Sequence, residues 1–382
     1  MLTHEEYRLL CTEEVREAIR KNRQRDPLRV AMDRSIPEAR LVATQLKYLE
    51  RARTKLPSYA EAGCILPPRA FEQSSSEECA AHKPIEGAKV LDLACGLGVD
   101  ARALAHRFRQ VVTLERNEVL AEVARENFRR LGVEHVTVLT TDAESYVATC
   151  EEHFDWIYAD PDRRSERGKK LVRLEDCSPD VVALLPRLRQ LSPRLCLKNS
   201  PLFDVDEARR IFPDCAVEVI SLGGECKEVL ILTGEGVKPE LRATALGVGS
   251  YAATDEQPLP PASAFEPNGY RYLIQVDVAL QKARLVRRYL CGKADCWSEN
   301  GYGFAAEPIE GLIGRQYAIE RIEPFDPKGL KRALKGRKVE LLKRDFPLQI
   351  EELRRRLGVA TGDEMRLAFT KIGAAYWTIW LK

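Results

Sequence analysis

The sequence predicts an α/β protein, a mostly parallel sheet covered by helices, with a helical region ahead of it and a smaller α+β region behind. Three observations carry this. Between Lys89 and Thr233, short apolar runs alternate with helix-like stretches. Residues Val90–Asp100 read Val-Leu-Asp-Leu-Ala-Cys-Gly-Leu-Gly-Val-Asp: a buried strand, a tight glycine turn and a helix start. A second, shorter strand–helix pattern begins after Asn268.

The first 60 residues read as two helices. Glu5–Lys21 is amphipathic, and Ile36–Lys55 runs through Leu41, Leu46 and Leu49 until Lys55-Leu-Pro stops it. The strands expected next are Val90–Ala94, Val111–Glu115, Val136–Thr140, Phe154–Ala159, Arg194–Lys198, Ala216–Leu222 and Val229–Thr233. Helices Glu118–Leu131 and Pro179–Leu191 fall between them. The last two strands are linked by Gly223-Gly-Glu-Cys-Lys, with no room for a crossover helix, so they form an antiparallel pair. From about Val237 to Asn268 the chain turns Gly-, Ala- and Pro-rich, with Gln257-Pro-Leu-Pro-Pro-Ala, and reads as a linker. Beyond it come a strand at Tyr272–Val278, a helix at Ala279–Leu290, a strand at Gln316–Pro324 and a helix at Pro327–Lys335. A strand at Val339–Arg344, a helix at Pro347–Leu357 and a strand pair near Met365–Thr370 and Ala375–Leu381 close the chain.

At 382 residues the chain exceeds one compact core and predicts two or three domains. Net charge is +2, and no apolar run approaches the ~18 residues that span a bilayer. The N-terminus, with His4, Glu5 and Glu6, lacks a signal-peptide core, so a cytoplasmic protein is expected. There are eleven cysteines but no Cys-x-x-Cys, and all five histidines lie in the first 153 residues. Cys291 and Cys296 have no histidine nearby, so reduced thiols are expected and no metal site.

In nucleotide-binding parallel sheets the ligand lies outside the carboxyl ends of the strands. Here an acid stands at four such ends: Asp92, Glu115, Asp142 and Asp160. Gly96 and Gly98 let the backbone approach a ligand, and the spacing is not the dinucleotide fingerprint because Ala101 stands three residues after Gly98. Glu115 lies 19 residues after Gly96, near the ~20 expected of an acid that accepts hydrogen bonds from ribose hydroxyls. In Tyr158-Ala-Asp160-Pro161-Asp-Arg163-Arg164 the proline fixes the backbone beside Asp160. Arg163 and Arg164 suit either a bidentate phosphate grip or an exposed loop. No Pro-Cys stands here, so a cysteine nucleophile at this turn is not expected. The serine run in Glu72-Gln73-Ser-Ser75-Ser-Glu77 reads as a helix cap or, close to the glycine loop, as part of the pocket wall through Glu72, Gln73 or Ser75. From Asp326 to Gly358, eleven Lys/Arg oppose five acids, a local +6 that suits a phosphate backbone.

Asp92-Leu-Ala-Cys-Gly-Leu-Gly resembles motif I of class I S-adenosylmethionine-dependent methyltransferases. With Lys55-Leu-Pro-Ser, Glu72-Gln-Ser-Ser-Ser-Glu, Asp160-Pro-Asp-Arg-Arg, Lys198-Asn-Ser-Pro, Gly223-Gly-Glu-Cys-Lys-Glu, Leu342-Lys-Arg-Asp-Phe-Pro-Leu and Gly362-Asp-Glu, nearly the whole chain resembles the bacterial methyltransferases ending in a ferredoxin-like segment and a THUMP-like domain. The resemblance implies a Rossmann-like seven-stranded core and S-adenosyl-L-methionine as cofactor. It divides the chain into a helical region (1–85), the core (86–238), a linker (239–268), a ferredoxin-like segment (269–325) and a THUMP-like domain (326–382).

By the same resemblance Asp92, Ala94, Gly96, Gly98, Asp100, Glu115, Arg116, Asp142, Ala143 and Asp160 surround the cofactor, Glu115 on its ribose and Asp142 on its adenine. Asp160, Pro161, Arg163 and Lys198 are the expected catalytic residues. Lys198, Asp160 and Lys83, with Glu225, Lys227 and Glu228, loosely resemble the Lys-Asp-Lys-Glu tetrad of ribose 2′-O-methyltransferases, whose lysine deprotonates the hydroxyl. THUMP domains bind RNA, typically tRNA, so Arg163, Arg164, Lys331, Lys335, Arg337, Lys343 and Arg344 are expected to contact it. Methylation of structured RNA, tRNA first, is the leading expectation. A small-molecule or protein methyltransferase, or an RNA-binding module with a non-catalytic cofactor site, are the alternatives.

Overall fold

The computed structural model describes residues 2–163, 174–253, 259–260 and 263–382. Arg164, expected at the site, lies outside them, as do Gln257, Pro258, Pro261 and Ala262 of the expected linker. The chain forms two compact units, 1–215 with 230–238, and 216–229 with 239–382.

The first unit is built on parallel strands β1 (Gly87–Asp92), β2 (Phe108–Leu114), β3 (Val136–Leu139), β4 (Trp156–Ala159) and β5 (Arg194–Asn199), ordered β3-β2-β1-β4-β5. Their apolar runs are buried almost throughout, as expected of strands covered on both faces. The register sets Asp92 beside Thr113 of β2 and Tyr158 of β4, so the acids at the strand ends share one edge of the sheet.

Helices cover the sheet. Glu118–Arg130 buries Val119, Val123 and Phe128 and is capped by Asn117, whose Oδ1 accepts from the Leu120 amide. The N-terminal region is all helical and shares a core with the glycine loop: Leu97, Val99 and Val123 cluster with Leu10, Val15, Leu46, Leu49, Tyr59 and Phe71. Asn127 pins this region from below. Its Oδ1 accepts from the Ile65 amide (2.8 Å) and its Nδ2 donates to the Ile65 carbonyl (2.9 Å).

Three helices differ from expectation. Glu5–Lys21 is two helices, His4–Cys11 and Glu13–Lys21, because extended Thr12 ends the first and its hydroxyl caps the second. The helix expected from Ile36 starts at Ala39, after Glu38 takes a left-handed conformation (φ 48°). In the second unit Ala279–Leu290 is broken into Val278–Lys282 and Val286–Leu290, with Arg284 left-handed between them.

The second unit carries strand Ala216–Leu222 and, beyond the left-handed Gly223 and Gly224, the start of strand Glu225–Gly234. Composition marked 239–268 as linker, but 240–253 folds. Glu240–Ala245 runs parallel to Ala216–Leu222, and Gly249–Ala253 returns antiparallel to it. A buried hydrogen bond from the Thr244 hydroxyl to Glu218 (2.6 Å) ties these strands together. A separate sheet of six strands follows, in the order Gly303–Ala305, Tyr272–Val276, Gly314–Pro324, Ala375–Leu381, Ala360–Ile372, Lys338–Lys343. The last two pair in parallel, joined by helix Ile350–Leu357.

Candidate active site

The glycine loop is held open from both sides. Gly96 (φ 55°) and Gly98 (φ 81°) take left-handed conformations that suit glycine. A Cβ on Gly98 would stand 2.6 Å from Cζ of Phe128, so the loop closes tightly there. A Cβ on Gly96 would meet nothing within 4 Å, so its backbone faces open space.

Two acids set the loop's path. Asp92 is buried, and both its oxygens are engaged: Oδ2 accepts from the Thr113 hydroxyl (2.6 Å) and Oδ1 from the Ala94 amide (3.2 Å). Desolvation pushes its carboxyl up from 3.8 to about 7, with Asp100 and Asp160 adding to the rise against the hydrogen bonds. Asp92 therefore pins the strand end to β2 with its own carboxylate. Half-buried Glu115 accepts from the Gly96 amide (2.9 Å) and the Asn117 amide (2.8 Å), and burial raises its pKa. Two of a carboxylate's roughly four acceptor positions stay open there. Asp142 caps helix Ala143–Thr149, accepting from the Ser145 amide (2.7 Å) and hydroxyl (2.9 Å), which lower its pKa.

Beside the loop four charged side chains alternate in sign. Lys83 (side chain 1% exposed) lies 3.4 Å from Asp100 Oδ1, and Asp100 Oδ2 lies 3.6 Å from Lys198. Lys198 in turn donates to Oδ2 of Asp160, whose side chain is 33% exposed. Two cations and two anions cancel, which is what lets the inner members stay buried. Ser75 donates its hydroxyl to Asp100 (2.9 Å), and Lys83 also donates to the Cys79 carbonyl (3.1 Å). Burial alone would raise the Asp100 carboxyl, but Lys83 and Lys198, helped by Ser75, hold it at about 2.

The structure thus brings together Ser75, Lys83, Asp100, Asp160 and Lys198 around the loop that Asp92, Ala94, Gly96, Gly98 and Glu115 build. Pro161 follows Asp160, Ala143 is buried, and exposed Arg116 reaches Ser178 Oγ (3.4 Å). Glu72 and Gln73 are exposed, and Glu72 takes a two-pronged ion pair with Arg51 (Nη2–Oε2 3.1 Å). Arg163 lies in a short strand, Asp162–Arg163, that pairs with Cys177–Ser178. In the second unit Glu225 pairs with Lys227 at the surface and Glu228 is buried.

The expected RNA contacts divide. Lys331, Lys335 and Arg337 are exposed, and half-buried Lys343 donates to the Phe346 carbonyl (3.4 Å). Arg344 is a correction: only 8% exposed, it donates to the Val276 carbonyl (3.0 Å) and faces the Tyr302 ring. Its guanidinium braces the second unit's own core and does not present a surface charge. Thr113 and Asn127 were missed as supports of the site, because each acts through a partner distant in sequence.

Residues 90–163 match the family model "Methyltransferase domain", and residues 314–382 match "THUMP domain-like". The second match begins inside the segment expected to be ferredoxin-like. A solved structure from Porphyromonas gingivalis W83, provisionally assigned as a methyltransferase, is 27% identical. It covers 100% of this chain and 99% of its own, with a TM-score of 0.83. Ribosomal RNA small subunit methyltransferase J of Coxiella burnetii (strain RSA 331 / Henzerling II) is 32% identical over 130 residues, 30% of this chain and 50% of that protein. The tRNA (uracil(54)-C(5))-methyltransferase of Pyrococcus horikoshii is 30% identical over 123 residues, 31% of this chain and 29% of that protein. The chain spans about half the length of the first of these curated relatives. Among the described residues no helix is long and apolar enough to cross a membrane, and no three His, Cys, Asp or Glu are grouped to hold a metal.

Proposed function

We propose that this chain, a class I S-adenosylmethionine-dependent methyltransferase with a THUMP-like C-terminal segment, methylates structured RNA. The observation that carries the reading is the alternating chain Lys83–Asp100–Lys198–Asp160 at the strand ends, beside a glycine loop with open space over Gly96. The site suits the cofactor: Glu115 keeps two acceptor positions for ribose hydroxyls, and Asp142 offers a further carboxylate at the next strand end. When bound, S-adenosylmethionine supplies a sulfonium-activated methyl group for direct transfer to a nucleophilic atom.

The chain's own work is positioning and proton handling. Asp160 Oδ2 is held by Lys198, which leaves Oδ1 to accept a hydrogen bond from an N–H or O–H on the acceptor. Lys198, bracketed by two carboxylates, orients Asp160, and Asp100 fixes Lys198 from the buried side. Carbon-5 chemistry is not carried over from the tRNA relative, since Pro161 is followed by Asp162 and not by a cysteine nucleophile.

Support for RNA comes from the similarity to rRNA and tRNA methyltransferases over about a third of the chain, from the THUMP-like match, and from exposed Lys331, Lys335 and Arg337. The test is calorimetry with S-adenosylmethionine, followed by incubation with methyl-labelled donor and separate tRNA, small-subunit rRNA, protein and metabolite fractions. Label in an RNA fraction is expected, with tRNA the first candidate. Label in metabolites or protein alone overturns the RNA reading, and no donor binding overturns the methyltransferase reading.

A further inference from the structure

From the N-terminal helices we infer a second RNA-binding surface: a basic ridge on helix Ala39–Lys55 that grips the phosphate backbone flanking the target nucleotide. It rests on the RNA reading above. Residues 20–55 hold eleven Lys/Arg (among them Arg29, Arg34, Arg40, Lys47, Arg51 and Arg53) against four acids, Asp26, Asp33, Glu38 and Glu50, a net +7 in a chain whose total is +2. That density exceeds the +6 of the C-terminal segment.

The helix sorts these charges by face. Val42, Ala43, Leu46, Leu49 and Ala52 are buried, while Arg40, Lys47, Arg51 and Lys55 fall at spacings of seven, four and four, which is one stripe at 3.6 residues per turn. At 1.5 Å per residue the stripe is ~22 Å long. Arg29, Arg34, Arg40 and Arg53 are exposed and form no ion pair with the described residues. Charges left unneutralised by their own protein favour a polyanion, whose released counterions supply the binding free energy.

The stripe leads to the site. At its lower end Arg51 pairs with Glu72, and Lys55 donates to the Phe71 carbonyl (2.6 Å). These belong to helix Pro68–Gln73, and two residues beyond it Ser75 reaches Asp100. Three residues of chain span at most ~11 Å, so Glu72 lies within a few nucleotides' reach of Asp100. At the far end, Leu28 (77% exposed) and Met32 (85% exposed) stand one helical turn apart among Arg25, Arg29 and Arg34. Apolar side chains set between cations suit the faces of unstacked bases.

The test uses the full chain and the Arg40→Gln/Lys47→Gln variant, with the RNA fraction that wild type binds or methylates. Binding is measured at several salt concentrations. If these cations contact phosphates, the slope of log affinity against log salt falls by about 1.4, at ~0.7 per single-strand contact. Donor binding and circular dichroism stay as in wild type, and Arg40→Lys/Lys47→Arg restores the slope. If wild type binds RNA and the Gln variant keeps its affinity and slope, the ridge proposal is wrong and the RNA reading stands. If wild type binds no RNA, both fall.

Discussion

Asp92 offers the sharpest test of how the glycine loop is held. Its carboxyl is pushed up to about 7 from 3.8, chiefly by burial, so the folded state binds a proton there that the unfolded chain releases. The sign follows: the stability this group contributes is fully present below pH 3.8 and is lost as pH rises through about 7. At ~1.4 kcal/mol per pH unit, the whole interval is worth about 4 kcal/mol, and roughly 3 kcal/mol of it falls between pH 5 and pH 8. Asp92→Asn removes the charge but keeps an acceptor for the Ala94 amide, and the Thr113 hydroxyl can rotate to accept from the new amide. Urea unfolding of wild type and variant at pH 5, 6, 7 and 8, followed by circular dichroism, measures the difference. Glu115 and Glu299 are also raised by burial, so only the difference between the two proteins belongs to Asp92. The variant is expected to lose less stability than wild type across this range, by about 3 kcal/mol at full effect. Equal pH slopes would refute the claim that a buried, protonatable Asp92 pins the loop.

Lys83→Met leaves Asp100 buried with one ammonium fewer, and breaking such a pair costs on the order of 3–5 kcal/mol. Adding Asp100→Asn should recover much of that loss, and a double-mutant cycle in urea with no coupling would contradict the pairing. Gly98→Ala forces a left-handed alanine against Phe128, a loss of about 2–5 kcal/mol in which Phe128→Leu relieves only the steric part, as thermal unfolding would reveal. Gly96→Ala meets no neighbour, so it should cost only ~1–2 kcal/mol of stability yet weaken donor binding at least tenfold in calorimetry. Equal donor affinity in Gly96→Ala and wild type would mean that the cofactor does not approach this backbone.

What could be read from sequence was what local pattern determines. The strand-turn-helix at Val90–Asp100 and the acids at four strand ends follow from period and glycine placement, so the parallel sheet was legible before any contact was known. The role of Asp92 was not, because its partner Thr113 is set by the register of two strands 21 residues apart. Strands Glu240–Ala245 and Gly249–Ala253 hid behind a small-residue composition: Leu241, Ala243 and Ala245 alternate inward with little bulk, and buried Glu218 waits for Thr244 across the pair. Arg344 misled for a related reason. Charge counted along a chain says nothing of depth, and this guanidinium lies inside the second unit against Tyr302. On helix Ala39–Lys55 the basic residues were legible in the sequence; which of them are exposed without an ion pair was not, because that depends on how the helix packs.

Leu97 sits between the two glycines of the loop, yet its side chain belongs to the N-terminal helical core. The practical consequence concerns trimming. A chain shortened to begin at residue 86 would keep every strand of the sheet and all four strand-end acids, but Leu97, Val99 and Val123 would face water. Three aliphatic side chains exposed together forfeit roughly 4–9 kcal/mol of burial, comparable to the whole net stability of an ordinary domain. Such a fragment would also lose Ser75 and Lys83, leaving Asp100 without two of its partners. The smallest self-sufficient piece of this protein therefore extends well upstream of its motif, and the helices before residue 86 are a scaffold on which the loop is moulded.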